Sequence, residues 1–461
     1  MAAAAGGVAA AAFPRAVLAA QQTTRGFATF VSEPVLRPPT LSVLTRSSPS
    51  PGLLFVATLN GPGQRGPLIV DDHGRVVWFK PVADTAIDFR VQRYKGEPVL
   101  TWWEGQVSQT GVGQGIGVIV DSTYKEVARV SAGNGLHADV HEFFLTPKGT
   151  ALITVYNPVD ADLTAVGGPA SHATLDSIIQ EIDVATGAVV FEWHSLDHIP
   201  VTDSYAPMLD PFDYFHINSV DIDLDGNLLV SARNTSAIYK VDRATGQVMW
   251  RLGGRSSDFE LGPGVFFMYQ HDARGHSDGT LTLFDDGPGP SSQQARALRL
   301  GLDVPNKRAI VLQEYVHPQA LDVAAMGNAQ VLTGNGMLVG WGTQPYVTEF
   351  GAGGDVRFDA KFDGDAWNYR AFRNAWVGTP HAPPSVAVRR SVGHFVVYAS
   401  WNGSTETRFW RVDGGKAPKT VPVTGFETAI TVAGAVPDAV TVTALDARHR
   451  PLAQRATRIK R

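Results

Sequence analysis

The sequence predicts an all-β protein, an about six-bladed β-propeller followed by a small C-terminal β-sandwich-like domain. Three observations lead there. Gly and Pro, 47 and 29 of 461 residues, punctuate the chain evenly, and the runs between them are short and rich in Val, Ile, Phe, Tyr and Trp. Such runs read as strands joined by tight turns. A strand-turn phrase then recurs, ending in Asp183-x-x-Thr186-Gly187 and again, 59 residues later, in Asp242-x-x-Thr245-Gly246. Finally, the recurrence stops near residue 384, while apolar-polar alternation continues to the end.

The elements follow in chain order. Residues 1–22 are rich in Ala, Gly, Val and Leu and end in Leu18-Ala19-Ala20-Gln21, like the apolar and cleavage regions of a secretory leader. This gives the expectation of a secreted, cell-surface or periplasmic protein. From residue 23 to 384 the phrase repeats, with weaker copies at 66–78 and 346–358. Strand and turn signals place sheet starts near residues 53, 87, 136, 213, 265 and 327. Repeats of four short strands at 40–60 residues cannot bury their faces alone and pack on neighbours around an axis. The gaps 158–177 and 195–211 read as loops at one face. Residues 385–461 alternate like half-buried sandwich strands.

Composition limits the function. The formal net charge is −5 and the pI about 6.2, which disfavours a nucleic-acid or anionic-membrane partner. Past the leader no apolar run reaches the ~20 residues of a spanning helix. The absence of cysteine removes thiol nucleophiles and Cys-based metal sites. No phosphate-binding Gly-Lys-Ser/Thr loop and no Gly-x-Ser-x-Gly elbow occurs.

Histidines carry the remaining chemistry. His141, His216 and His271 each precede or open an apolar strand in three successive repeats. First strands line a propeller's axis, so equivalent positions converge on one central volume. His137, four residues before His141, shares its face if the segment is a strand. Arg233 follows His216 by seventeen residues on the neighbouring strand, as a planar, always-charged donor for an oxyanion. Asn218 lies on the face of His216 and could orient the ring or contact substrate, and Asp213, Asp221 or Asp272 could fix imidazole tautomers. The acidic run Asp221-x-Asp223-x-Asp225-Gly226 has Ala232 where a calcium loop needs Glu, and reads as a hairpin turn.

At these residues the sequence resembles the arylsulfotransferase (arylsulfate sulfotransferase) propeller family. The resemblance spans about residues 50–380 and rests on Asp139-Val-His-Glu142, Asp213-Tyr-Phe-His-Ile-Asn-Ser-Val220, the 231–242 segment with Trp250-Arg-Leu-Gly253, and Gln270-His-Asp-Ala273. It implies sulfuryl transfer from an aryl sulfate to a phenol with no nucleotide donor and no cofactor. His271 would be the nucleophile that becomes a sulfohistidine, and His141, His216 and Arg233 would hold the sulfuryl oxygens, with Asn218 and His137 as substrate contacts and no metal. Ala273-Arg274 departs from the pattern of the best-studied members. Two other readings stay open: a metal-dependent propeller lyase or hydrolase using His137, His141, His216 and His271, and a secreted binding module presenting Trp102, Trp103, Trp341 or Trp401.

Overall fold

A computed structural model describes residues 26–287 and 294–459. The expected leader, residues 1–22, lies outside the described residues. The described chain is all-β, with three single-turn 3-10 segments, and is built from eight sheets. Among the described residues no helix is long and apolar enough to cross a membrane.

Six of the sheets are antiparallel meanders, arranged in a propeller-like way, one of them with Glu260–Leu261 added in parallel at its edge. Sheets 2, 3 and 4 take their strands in chain order. They begin at Thr85–Tyr94, Phe143–Leu145 and Ile217–Ile222. Sheet 5 begins at His271–Gly275 and sheet 6 at Asn328–Val331. Sheet 1 is assembled differently from the expectation at residue 53. Leu53–Ala57 is its second strand, and its first is Phe372–Asn374, which pairs back from the far end of the chain. Reciprocally, Leu41–Arg46 adds to sheet 6 beside Val356–Phe362. A repeat count cannot see this exchange, because both strands lie outside the repeating phrase.

Apolar side chains of consecutive sheets meet in successive cores. Phe55, Trp78, Phe89 and Trp102 join sheets 1 and 2, and Leu152, Ile179, Ile217 and Tyr239 join sheets 3 and 4. Leu338 and Phe358 of sheet 6 pack on Leu54 and Leu68 of sheet 1. Each core residue fully removed from water contributes about 1.5–3 kcal/mol. Trp102, Trp103 and Trp341 are 0–1% exposed and belong to these cores, not to a binding surface.

The recurring phrase has a local cause. Asp183 Oδ1 accepts from Ala185 N, Thr186 N and Thr186 Oγ1, and Asp242 Oδ1 does the same with Ala244 and Thr245. Gly187 and Gly246 then turn the chain at φ 75° and 74°. The 158–177 gap is not a loop as expected. Thr150–Ala161 and His172–Asp183 pair along their whole length, from Thr150–Asp183 to Ala161–His172, as one long hairpin. The acidic run of 221–225 is a turn whose carboxylates are occupied from within. Lys240 Nζ pairs with Asp223 and, at 2.8 Å, with Asp225.

Sheets 7 and 8 follow from Ser385 and face one another across a core of Phe395, Val397, Trp410, Ile430 and Val442.

Candidate active site

His141, His216 and His271 stand where the first strands of sheets 3, 4 and 5 begin, and they are 5%, 8% and 2% exposed. The rings of His141 and His216 meet edge to face at 4.9 Å between centroids. Tyr156, from the long hairpin, lies 5.6 Å from both rings and donates to Ile217 O at 2.6 Å.

Each imidazole has a carboxylate at Nδ1. Asp139 Oδ1 is 2.5 Å from that nitrogen of His141, Asp213 pairs with His216, and Asp286 Oδ2 lies 2.7 Å from His271 Nδ1. The Asp286 approach is too oblique for a hydrogen bond, and neither Asp286 oxygen has another donor among the described residues. At His141 and His216 the hydrogen bond at Nδ1 fixes Nε2 as the nitrogen the ring offers. At His271, the Met326 amide donates to Nε2 at 3.3 Å, which marks that nitrogen as carrying the lone pair.

Burial sets the protonation states. It pushes His271 well below the usual imidazole range, and Arg233, His141 and His216 push in the same direction. Burial also lowers His216, against the opposing pull of Asp213, and raises Asp286 well above the ordinary carboxylate range. His271 is therefore a neutral imidazole at physiological pH.

Arg233 follows the strand Leu228–Ala232, and its amide donates to His216 O at 2.9 Å, which places the two residues side by side. Its guanidinium lies over the Tyr269 ring at 4.6 Å and donates to Asn234 Oδ1 and, at 3.4 Å, to Ala324 O. Among the described residues it has no carboxylate partner, so its charge is available to an anion.

The two expected substrate contacts fare differently. Asn218 is buried, and its amide donates to Gln270 O at 2.6 Å, which holds the residue before His271, while its Oδ1 has no hydrogen-bond partner among the described residues. Its neighbour Ser219 accepts from Ala273 N at 3.0 Å on the other side of His271. His137 is not in a strand and is exposed, so the same-face argument fails and it does not join the cluster. Of the proposed tautomer-fixing carboxylates only Asp213 serves. Asp221 accepts from Gly275 N, and Asp272 pairs with Arg274 and Arg370.

Sequence reasoning missed Asp139 and Asp286. Asp139 had a signal, since it precedes His141 by two as Asp213 precedes His216 by three. Asp286 lies two residues past Phe284, the cross-strand partner of His271, and a hairpin count would have reached it. Also missed was a buried ionic layer beneath the histidines. Arg90, Arg274 and Arg370 interlock with Asp88, Glu142 and Asp272, and Arg370 donates to Asn218 O at 2.8 Å. Tyr369 OH bridges the levels by donating at 3.2 Å to His141 O and Asn218 O.

The profile of the arylsulfotransferase (ASST) family matches residues 90–363, a span that includes His141, His216, Arg233 and His271. The chain belongs to the arylsulfotransferase family. Membership implies a sulfotransferase acting on small aryl molecules. No curated protein matches the chain. Among solved structures, a protein of unknown function from Bacteroides caccae is 14% identical, with 70% of this chain and 98% of that one covered and a TM-score of 0.42. The extracellular domain of a putative hybrid two-component system from B. thetaiotaomicron is 10% identical, over 95% of this chain and 56% of that one, TM-score 0.40. A streptogramin B lyase is 10% identical, over 72% and 97%, TM-score 0.37.

Proposed function

We propose that this arylsulfotransferase moves a sulfuryl group from an aryl sulfate to a phenolic acceptor through a sulfohistidine at His271, without a nucleotide donor. The observation that carries this reading is the neutral, buried His271, its lone pair at Nε2, in a cluster with two further carboxylate-held imidazoles and the carboxylate-free Arg233. In the first half-reaction the Nε2–S bond forms as the aryl S–O bond breaks, and the electron pair leaves on the phenolate oxygen. In the second, the acceptor oxygen attacks sulfur, the N–S pair returns to Nε2, and the phenol proton passes to His216 Nε2 and on to solvent. Arg233 is the fixed positive charge for the sulfuryl oxygens, which gain charge in both transition states. We further read the six meanders as blades of one closed propeller, held by the exchanged strands Leu41–Arg46 and Phe372–Asn374.

Intact-mass spectrometry of the protein mixed with 4-nitrophenyl sulfate tests the route. The expected result is an acid-labile adduct of about 80 Da, absent in His271→Ala, with nitrophenol release that rises on adding a phenol. If several aryl sulfates give neither adduct nor acceptor-stimulated release, the reading fails.

A further inference from the structure

On the propeller reading proposed above, the first strands that carry the histidines run side by side in one direction, so their later residues meet at the opposite mouth of the channel. His141, His271, Met326 and Tyr369 stand at or before the starts of their strands. Further along the same strands, Phe144, Arg274, Val331 and Asn374 line a cavity of about 410 Å3. The ionic layer separates this cavity from the histidines, and Asp88, Glu142 and Arg370 within it are 0–2% exposed. The channel is thus two compartments.

The second compartment carries one uncompensated cation. Arg90 and Arg274 line it but are paired with carboxylates inside the layer, whereas Arg93, exposed at its rim, has no carboxylate partner among the described residues and donates to Gly96 O. The carboxylate in its lining, Asp272, is already held by Arg274 and Arg370. Burial lowers His276, which favours its neutral form. Arg90 is 7% exposed, and its Nε–H has no hydrogen-bond partner. Its guanidinium lies 5.8 and 5.6 Å from the rings of Phe144 and Phe372, which with Val91 and Val331 give the cavity an apolar wall. That Nε–H is closed off from the cavity, so a ligand's acceptor meets the exposed Arg93 and the accessible edge of Arg90, and planar carboxylates match guanidinium geometry.

We propose that this cavity is a second ligand site, distinct from the histidine cluster, that takes a small aromatic carboxylate with its head toward Arg90 and Arg93 and its ring against Phe144 and Phe372. The site requires no histidine and stands whether or not sulfuryl transfer occurs at His271.

Titration calorimetry of the full chain with sodium benzoate tests it, with benzamide as the uncharged counterpart. Benzoate is expected to bind at one site per chain and benzamide at least tenfold more weakly. Arg93→Ala should weaken benzoate at least fivefold, and Val331→Trp, which fills the cavity, should abolish binding. His271→Ala should leave the affinity within twofold. Circular dichroism checks that each variant is folded, and Arg93, exposed at the rim, gives an arm that does not perturb a core. Absence of benzoate binding overturns the proposal. So does equal affinity for benzamide, which removes charge recognition, or loss of binding in His271→Ala, which moves the ligand to the other compartment. The last outcome leaves the sulfohistidine reading intact, and a missing His271 adduct leaves this one intact.

Discussion

Glu142→Gln tests the ionic layer most directly, because it removes one charge while keeping the side-chain shape. Glu142 is 0% exposed and meets Arg90, Arg274 and Arg370. Three cations face three carboxylates, Asp88, Glu142 and Asp272, so the variant leaves one positive charge uncompensated in a dry interior. Breaking a buried pair in this way costs about 3–5 kcal/mol. For a cooperative unit of roughly 360 residues, ~2.1 cal/mol/K per residue gives ~0.75 kcal/mol per degree, so Tm should fall by about 4–7 °C. The control is Glu126→Gln, whose partner Arg129 sits with it at the surface; there a loss under ~1 kcal/mol, near one degree, is expected. The gap also depends on pH. Burial works against the Glu142 carboxylate, but the three guanidinium groups overcome it and hold its pKa well below the usual range. Its contribution is therefore present above the unfolded value of about 4.3 and fades as pH falls toward the folded value, so wild type and variant should converge in acid. Thermal unfolding followed by circular dichroism measures both. Equal shifts in Glu142→Gln and Glu126→Gln would refute the claim that the layer is a closed, mutually compensating set.

Three further outcomes follow from the site. Arg233→Lys keeps the charge but loses the planar fork over Tyr269, and kcat/KM for 4-nitrophenyl sulfate should drop about 100-fold; a drop under threefold would remove Arg233 from oxyanion binding. Asp213→Asn replaces the carboxylate at His216 Nδ1 with a neutral amide that no longer fixes the tautomer, and should lower kcat at least ~10-fold with the fold retained, as checked by steady-state kinetics beside circular dichroism. Because burial lowers His271 and His216, their neutral, active forms should persist as pH falls past the ordinary value near 6.5, with the acid limb of kcat/KM lying below it; stability, by the same sign, declines from about 6.5 downward as the unfolded chain takes up the protons first. A limb at or above pH ~7 would contradict the buried setting of both rings.

What was legible in the sequence depended on locality. Asp183-x-x-Thr-Gly and Asp242-x-x-Thr-Gly are complete in five residues, and their hydrogen bonds form as the phrase suggests. His141, His216 and His271 were readable because each sits at the same place in its repeat, so one rule located all three. Long-range pairing was not readable: nothing near Phe372 says that it pairs with Phe55. The long hairpin was mistaken for a loop because Pro158 and the glycines beyond it mark turns, yet Pro158 occupies a strand position opposite Leu175. Arg274 looked like a departure from a family pattern. In the structure it is a member of the ionic layer, bonded to Glu142 at 2.6 Å, 132 residues away, and a partner so distant leaves no local trace.

The layer and the histidines are coupled through backbone strain. Asp88, His216 and Asp272 have φ of 58°, 55° and 53°, a left-handed conformation that non-glycine residues take at a cost of about 1–3 kcal/mol each. Each lies in or beside a bulge, between Ile87 and Arg90, Ile217 and Ser219, and His271 and Arg274. A bulge places an extra residue against its partner strand and re-aims neighbouring side chains. At sheet 5 this lets His271 reach Asp286 while Asp272 and Arg274 enter the layer below. The ion pairs of Asp88 and Asp272 with Arg370 help offset this strain. Asp272, held by Arg274 and Arg370, follows His271 directly within the same bulge, so one bend of sheet 5 carries both the imidazole and a member of the ionic layer.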